Sequence, residues 1–415
     1  MKTGTRMLVA VGVLLLLGGL ATLGWWYQMK QRSADQGSGV LAVNVTSAAD
    51  RGPGTLREAF FIVATAKGRA DVFIKVKSIA IESLLPPLVN PHGVRIVAQQ
   101  GGTQLDGRGL SGGPLLDVAG DNTSVEGLEL RNCTATAILL RAAQFHLRSS
   151  TIESCDVGVD VAENATGILI ERNRFTNDRI GVRFAATPRE AVVVGNEFAN
   201  ARDAGLWAVR AQPDARGNAI TIRENHFNND RAGLVAANVA VLIERNDFAT
   251  DTEAAIHLIG AGAVVRGNTI RGGPGMGIIA ENAREAIIDG NELDHLSAYG
   301  IMVRNSANVL VRGNRIHSCG YGLAFVLGEP RHPSTAVENT IIEPQFNGID
   351  VIGDSPILQR NQVVQPHAYA LHVTDFQQPD GVKVPAHPFL EGNSFRAADT
   401  TSMAAAPVPA SGKRQ

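Results

Sequence analysis

The sequence predicts an all-β fold, a right-handed single-stranded parallel β-helix of about a dozen coils, on three observations. An Asn-centred motif recurs as ILIERNRF, TIRENHF, LIERNDF, VVRGNTI, IIDGNEL and LVRGNRI. Its asparagines, Asn173, Asn196, Asn225, Asn246, Asn268, Asn291, Asn314, Asn339 and Asn361, are mostly 21–25 residues apart. That is a solenoid period, too short for a unit carrying its own helix in this pattern. The composition, with 44 glycines and 5% aromatics, suits a chain of many tight turns.

At the N-terminus, the nineteen residues from Leu8 to Trp26 carry no charge. That length crosses a hydrocarbon layer as a helix. Lys2 and Arg6 precede the run, and Trp25, Trp26 and Tyr27 stand where an interfacial aromatic belt belongs. The expectation is a cytoplasmic N-terminus at 1–6, a transmembrane signal anchor at 7–27 and a polar linker at 28–40. The body would then lie in the periplasm or outside the cell, on a single-pass inner-membrane protein. The small residues Gly18, Gly19 and Ala21 keep a cleaved signal peptide as the other reading.

In residues 41–92, Thr55 and Glu58 match the capping box that opens a helix, with Leu56, Phe60 and Val63 on one face. The stretch VTSAADRGPGTLREA (45–59) resembles the segment with which many exported bacterial β-helix proteins begin. There the helix plugs the open end of the coil, so 41–92 is expected to cap the β-helix. An uncovered coil would expose unpaired backbone groups.

Residues 93–395 are expected to form the coils. Equivalent residues of successive coils stack about 4.8 Å apart, so like lies on like. Each Asn is expected to bond its neighbour in the stack and to tolerate a left-handed turn. Two residues on, Phe175, Phe198, Phe227 and Phe248, then Ile270, Leu293 and Ile316, form an interior column. Cys133, Cys155 and Cys319 share another column, with interior packing favoured over a disulfide. The Ala/Pro/Ser-rich tail 396–415 is expected to be disordered.

On its repeats the chain resembles the parallel β-helix repeat superfamily. That group includes pectate lyase-like and polygalacturonase-like enzymes, alginate lyases, mannuronan C5-epimerases and an exported protein associated with copper loading. The paired aspartates of the polygalacturonases are missing, and Asn90-Pro91-His92-Gly93 only faintly echoes the Asp-Pro-His-Asp signature of the epimerases. No residue role is carried over, and the branch stays open. The resemblance implies an acidic polysaccharide as partner. A net charge of −2 argues against nucleic acid. No phosphate loop, zinc signature or calcium-type carboxylate cluster occurs, so no cofactor and no metal are expected.

The last third departs from the monotony. His295, His317, His332, His367, His372 and His387 lie there, and Tyr299, Tyr321 and Tyr369 each precede the Gly, or Ala370, of their coil. This collection suits proton abstraction beside a uronate carboxylate, which needs a His or Tyr base, a second proton donor and a cation or amide on the carboxylate. Candidate catalytic residues are Tyr299, His317, Tyr321, Asp350 and His372. Candidate substrate-binding residues are Trp207, His257, Arg304, Arg331, His332 and Tyr369. Asp294 and His317 fall on adjacent coils as a surface hydrogen bond. Insertions at 327–335 and 375–388, with a shorter one at 209–217, lengthen turns beside the candidate face. The expected function is binding, with lyase or C5-epimerase modification, of an acidic polysaccharide. The alternatives are a non-catalytic scaffold or binding module of an envelope or polysaccharide-export assembly, and a metal-delivery accessory.

Overall fold

The structure is a computed structural model that describes residues 40–99, 101–163, 165–185, 189–209, 220–260 and 262–396. Two compact units are distinguished, Met1–Val40 and Leu41–Gln415, and the strands and the helix belong to the second. Each full coil visits three parallel sheets in turn, of 15, 14 and 12 strands. These are termed the first, second and third sheets. The stacked turns build a right-handed β-solenoid of about 13 turns, whose apolar faces are buried by their neighbours.

Stacking begins before the Asn motif does. Leu41–Val45 pairs in parallel with Ala70–Ile74, which pairs with Val94–Ala98 in the first sheet. Between the first two of these strands runs the helix Leu56–Ala64. Thr55 caps it by accepting from the Glu58 N–H at 3.2 Å, and Glu58 reaches back to the Gly54 N–H at 2.5 Å. Leu56, Ala59, Phe60 and Val63 face inward and join the same core as the coils.

The Asn column forms a continuous ladder at the corner between the first and second sheets. Nδ2 of each Asn donates to Oδ1 of the next at 2.9–3.0 Å, from Asn173 through Asn361. The last acceptor is Asn393, a tenth member hidden from the sequence reading by the insertion at 375–388. The left-handed residue at this turn is not the Asn but its predecessor: Arg172, Glu224, Arg245, Glu338 and Arg360 all have φ of 51–58°. Glycines 195, 267, 290, 313 and 392 take that place elsewhere. The Asn keeps an ordinary backbone, and its amide stays inside the corner to satisfy its neighbours.

Inside, the rings of Phe175, Phe198, Phe227 and Phe248 stack 4.7–4.9 Å apart within 7° of parallel. Ile270, Leu293 and Ile316 continue the column, all buried. Cys133, Cys155 and Cys319 are buried as well, but the expectation against a disulfide is corrected. Cys133 and Cys155, 22 residues apart on adjacent coils, are bridged, and Cys319 is free.

The expected single-pass inner-membrane location is also corrected. Among the described residues no helix is long and apolar enough to cross a membrane, Leu56–Ala64 being nine residues long. The expected anchor 7–27 lies outside the described residues, as do 1–6, 28–39, 397–415 and nearly all of the insertion at 209–217.

Candidate functional site

The outer face of the third sheet gathers most of the candidates because its register is strict. Asp160, Arg183, Trp207, Val235, His257, Ile279, Met302, Ala324, Asp350 and His372 follow one another as paired neighbours in a single column. A second column, one strand position before the inward Gly, holds Tyr299 and Tyr321 as direct partners. The insertions at 327–335 and 375–388 leave from third-sheet strands on their way to the first sheet, so they border this face.

At its far end the two columns meet. The Tyr299 and Tyr321 rings stack at 4.4 Å, and Phe346, half exposed, continues the stack on Tyr321 at 4.9 Å. Above them the Asp350 carboxyl, almost wholly buried, accepts from Asn347 Nδ2 at 2.8 Å and meets His372 Nδ1 at 3.0 Å. Tyr369 lies over the His372 ring at 5.7 Å, and its backbone N–H is held by Asn347 Oδ1 at 3.2 Å. Among the described residues no hydrogen bond engages Nε2 of His372. Burial pushes the Asp350 carboxyl above the ordinary carboxylate range, against the lowering effect of Asn347 and His372. Burial, then the charges on Asp350 and Tyr321, pushes the Tyr299 hydroxyl up to about 12. Tyr299 therefore stays protonated near neutrality.

The structure thus brings together Tyr299, Tyr321, Asp350, Tyr369 and His372, and adds Phe346 and Asn347. Asn347 stands in the sequence at the position before Gly348, on the coil between those of Tyr321 and Tyr369. Phe346 sits one residue outside the Tyr column and gave no periodic signal. His317 does not join them: it lies in the second sheet, paired with Asp294 at 2.6 Å. Trp207 and His257 share the Asp350 column but sit several coils away. Trp207 packs with Ile259 on a small outer cluster of Ala204, Ala232 and Val235, and His257 Nε2 lies 3.4 Å from Glu281. Arg304, exposed at the other end of the Tyr299 strand, is 3.8 Å from Glu281. Arg331 and His332 are exposed on the insertion at 327–335.

The family described as "right handed beta helix region" matches residues 90–220 and 214–364, well over half of the chain. The chain belongs to the right handed beta helix family. Solved structures agree with this β-helix assignment at low identity. A tailspike protein of E. coli bacteriophage HK620, in complex with a hexasaccharide, is 11% identical with a TM-score of 0.56, over 85% of this chain and 78% of that one. The catalytic unit of a GH87 alpha-1,3-glucanase from Streptomyces thermodiastaticus is 14% identical with a TM-score of 0.54, over 87% and 69%. A PL6 family alginate lyase is 16% identical with a TM-score of 0.51, over 82% of this chain and 55% of that one. A search of curated proteins found no match.

Proposed function

We propose that this β-helix protein binds an acidic polysaccharide along the outer face of its third sheet and modifies it by lyase or C5-epimerase chemistry. The observation that carries the reading is the buried Asp350 holding His372 by Nδ1 beside the stacked Tyr299 and Tyr321. A carboxylate on Nδ1 fixes the ring and stabilises the imidazolium formed when Nε2 takes a proton. In the proposed step Nε2 removes the C5 proton, and the electron pair passes into the uronate carboxyl. Breaking the C4–O bond with a proton from a Tyr hydroxyl completes a lyase reaction. Return of a proton to C5 from the opposite face completes an epimerase reaction.

Arg304, Arg331 and His332 are assigned to the polymer's carboxylates, and Tyr369, Phe346, Trp207 and His257 to its sugar faces. Polysaccharides appear in the names of solved structures with this coil, which supports the substrate class. The helix Leu56–Ala64 is assigned the role of end cap, supported by its buried face joining the core of the coils. The direct test incubates the full chain with a panel of uronate polymers. It follows ultraviolet absorbance of unsaturated ends for lysis, and solvent deuterium uptake at C5 for epimerisation. Turnover in neither assay, with polymer still bound, replaces the reading with that of a binding module. Neither turnover nor binding removes it.

A further inference from the structure

A second constellation lies at the corner between the second and third sheets, outside the His372 site. Asp294 and His317 are direct register partners on adjacent coils, and His295 follows Asp294 in a left-handed turn with φ of 54°. His317 Nδ1 stands 2.6 Å from Asp294 Oδ1, and His295 Nδ1 stands 2.9 Å from Asp294 Oδ2. The two rings are edge to face, with centroids 5.6 Å apart. The ligand atoms of all three residues lie within 4.8 Å of one another.

We propose that Asp294, His295 and His317 form a binding site for a divalent transition-metal ion. Two imidazole nitrogens and one carboxylate suit zinc, copper or nickel, whereas calcium and magnesium ask for oxygen donors. The scaffold supplies the organisation, because strand pairing fixes Asp294 against His317 and the turn fixes His295 beside them. His317 also has the second partner that metal-bound imidazoles use for orientation: its Nε2 is 3.3 Å from Ser318 Oγ and 3.6 Å from Glu343 on the next coil. Three protein ligands leave at least one coordination position for water or a substrate group. The His226–Asp247 pair on the same sheet makes a useful contrast, with one imidazole at 3.0 Å from one carboxylate and, among the described residues, no second nitrogen ligand within the cluster distance.

The experiment titrates Zn²⁺ into the untagged full chain by calorimetry near neutral pH, with no polysaccharide present. One equivalent is expected. His295→Ala and His317→Ala are each expected to weaken binding by about tenfold or more, and His226→Ala to leave it unchanged. Asp294→Asn, which keeps the shape but replaces one of the two acceptor oxygens by a donor, should weaken it as well and covers the case in which a histidine change disturbs the turn. A parent chain that takes up no zinc, or variants that all titrate like the parent, overturns the proposal.

Discussion

His372 Nδ1 and Asp350 Oδ1 lie 3.0 Å apart across adjacent coils, and the same oxygen accepts a hydrogen bond from Asn347. A buried carboxylate with two donors holds an imidazole in one orientation and one tautomer. Asp350→Asn keeps the shape while removing the charge that would stabilise an imidazolium. If the proposed chemistry holds, turnover on the uronate polymer drops by about 10²–10⁴-fold with KM little changed. His372→Ala should match it, with an unaltered circular dichroism spectrum. Full activity in either variant would remove His372 as the base.

The aromatic stack makes a separate claim about binding. Phe346 and Tyr369 are both exposed, 50% and 41%. Replacing either by Ala should weaken polymer affinity by about fivefold, the order expected for one aromatic contact, and leave kcat alone. Binding isotherms for the variants decide it, and unchanged affinity would place the polymer elsewhere.

Three buried aspartates at the corner between the second and third sheets set a pH dependence of stability. Asp178, Asp230 and Asp251 each accept one backbone N–H of the preceding coil at 2.7–3.0 Å. The second oxygen of each has no partner among the described residues. Burial pushes these carboxyls from 3.8 up to about 8, 7 and 8, and the charge of Asp230 adds to the effect on Asp251. The folded chain therefore keeps protons that the unfolded chain releases. Their contribution is fully present below pH 4 or so and is lost as pH rises towards about 8. The melting temperature should fall from pH 5 to pH 8. Asp230→Asn should flatten that fall, gaining on the order of 1–2 kcal/mol at the alkaline end. A parent protein with level stability across this window would contradict the assignment.

The Asn ladder predicts a gradient of cost along the solenoid. Asn268 accepts from both the N–H and the side chain of Asn246, and donates onward to Asn291 and back to the Ile243 carbonyl. Asn268→Ala strands those buried groups and should cost about 3 kcal/mol. Asn393, half-buried and the last acceptor of the described ladder, should cost about 1 kcal/mol. Denaturant titration of the two variants measures the difference, and equal costs would mean that the ladder is not cooperative.

Much of this was legible in the sequence because a solenoid writes its contacts as a period. The Asn ladder, the Phe stack and the outer column holding Asp350 and His372 all follow from counting between repeats. Leu41–Val45 and Ala70–Ile74 escaped the count because those coils lack the Asn, and with it the punctuation. The left-handed residue was misplaced by one, because Arg, Glu and Gly share no side-chain chemistry and reveal themselves only through φ. His317 was grouped with the tyrosines by nearness in sequence, yet a corner separates the two sheets. The Cys133–Cys155 bridge was passed over because burial alone accounts for both residues, and a column cannot say whether stacked thiols have joined.

Most ladder members are 21–25 residues apart, but 29 separate Asn196 from Asn225 and 32 separate Asn361 from Asn393. Across both long intervals the amide bond is still 3.0 Å. The extra chain length thus leaves the spacing of the stack unchanged. The amides work as a graduated rule: the height of any side chain is fixed by its coil, whatever length of loop has been spliced between. Lineages and engineers alike are then free to rewrite the borders of the outer face while leaving Asp350, His372 and their neighbours at the same mark.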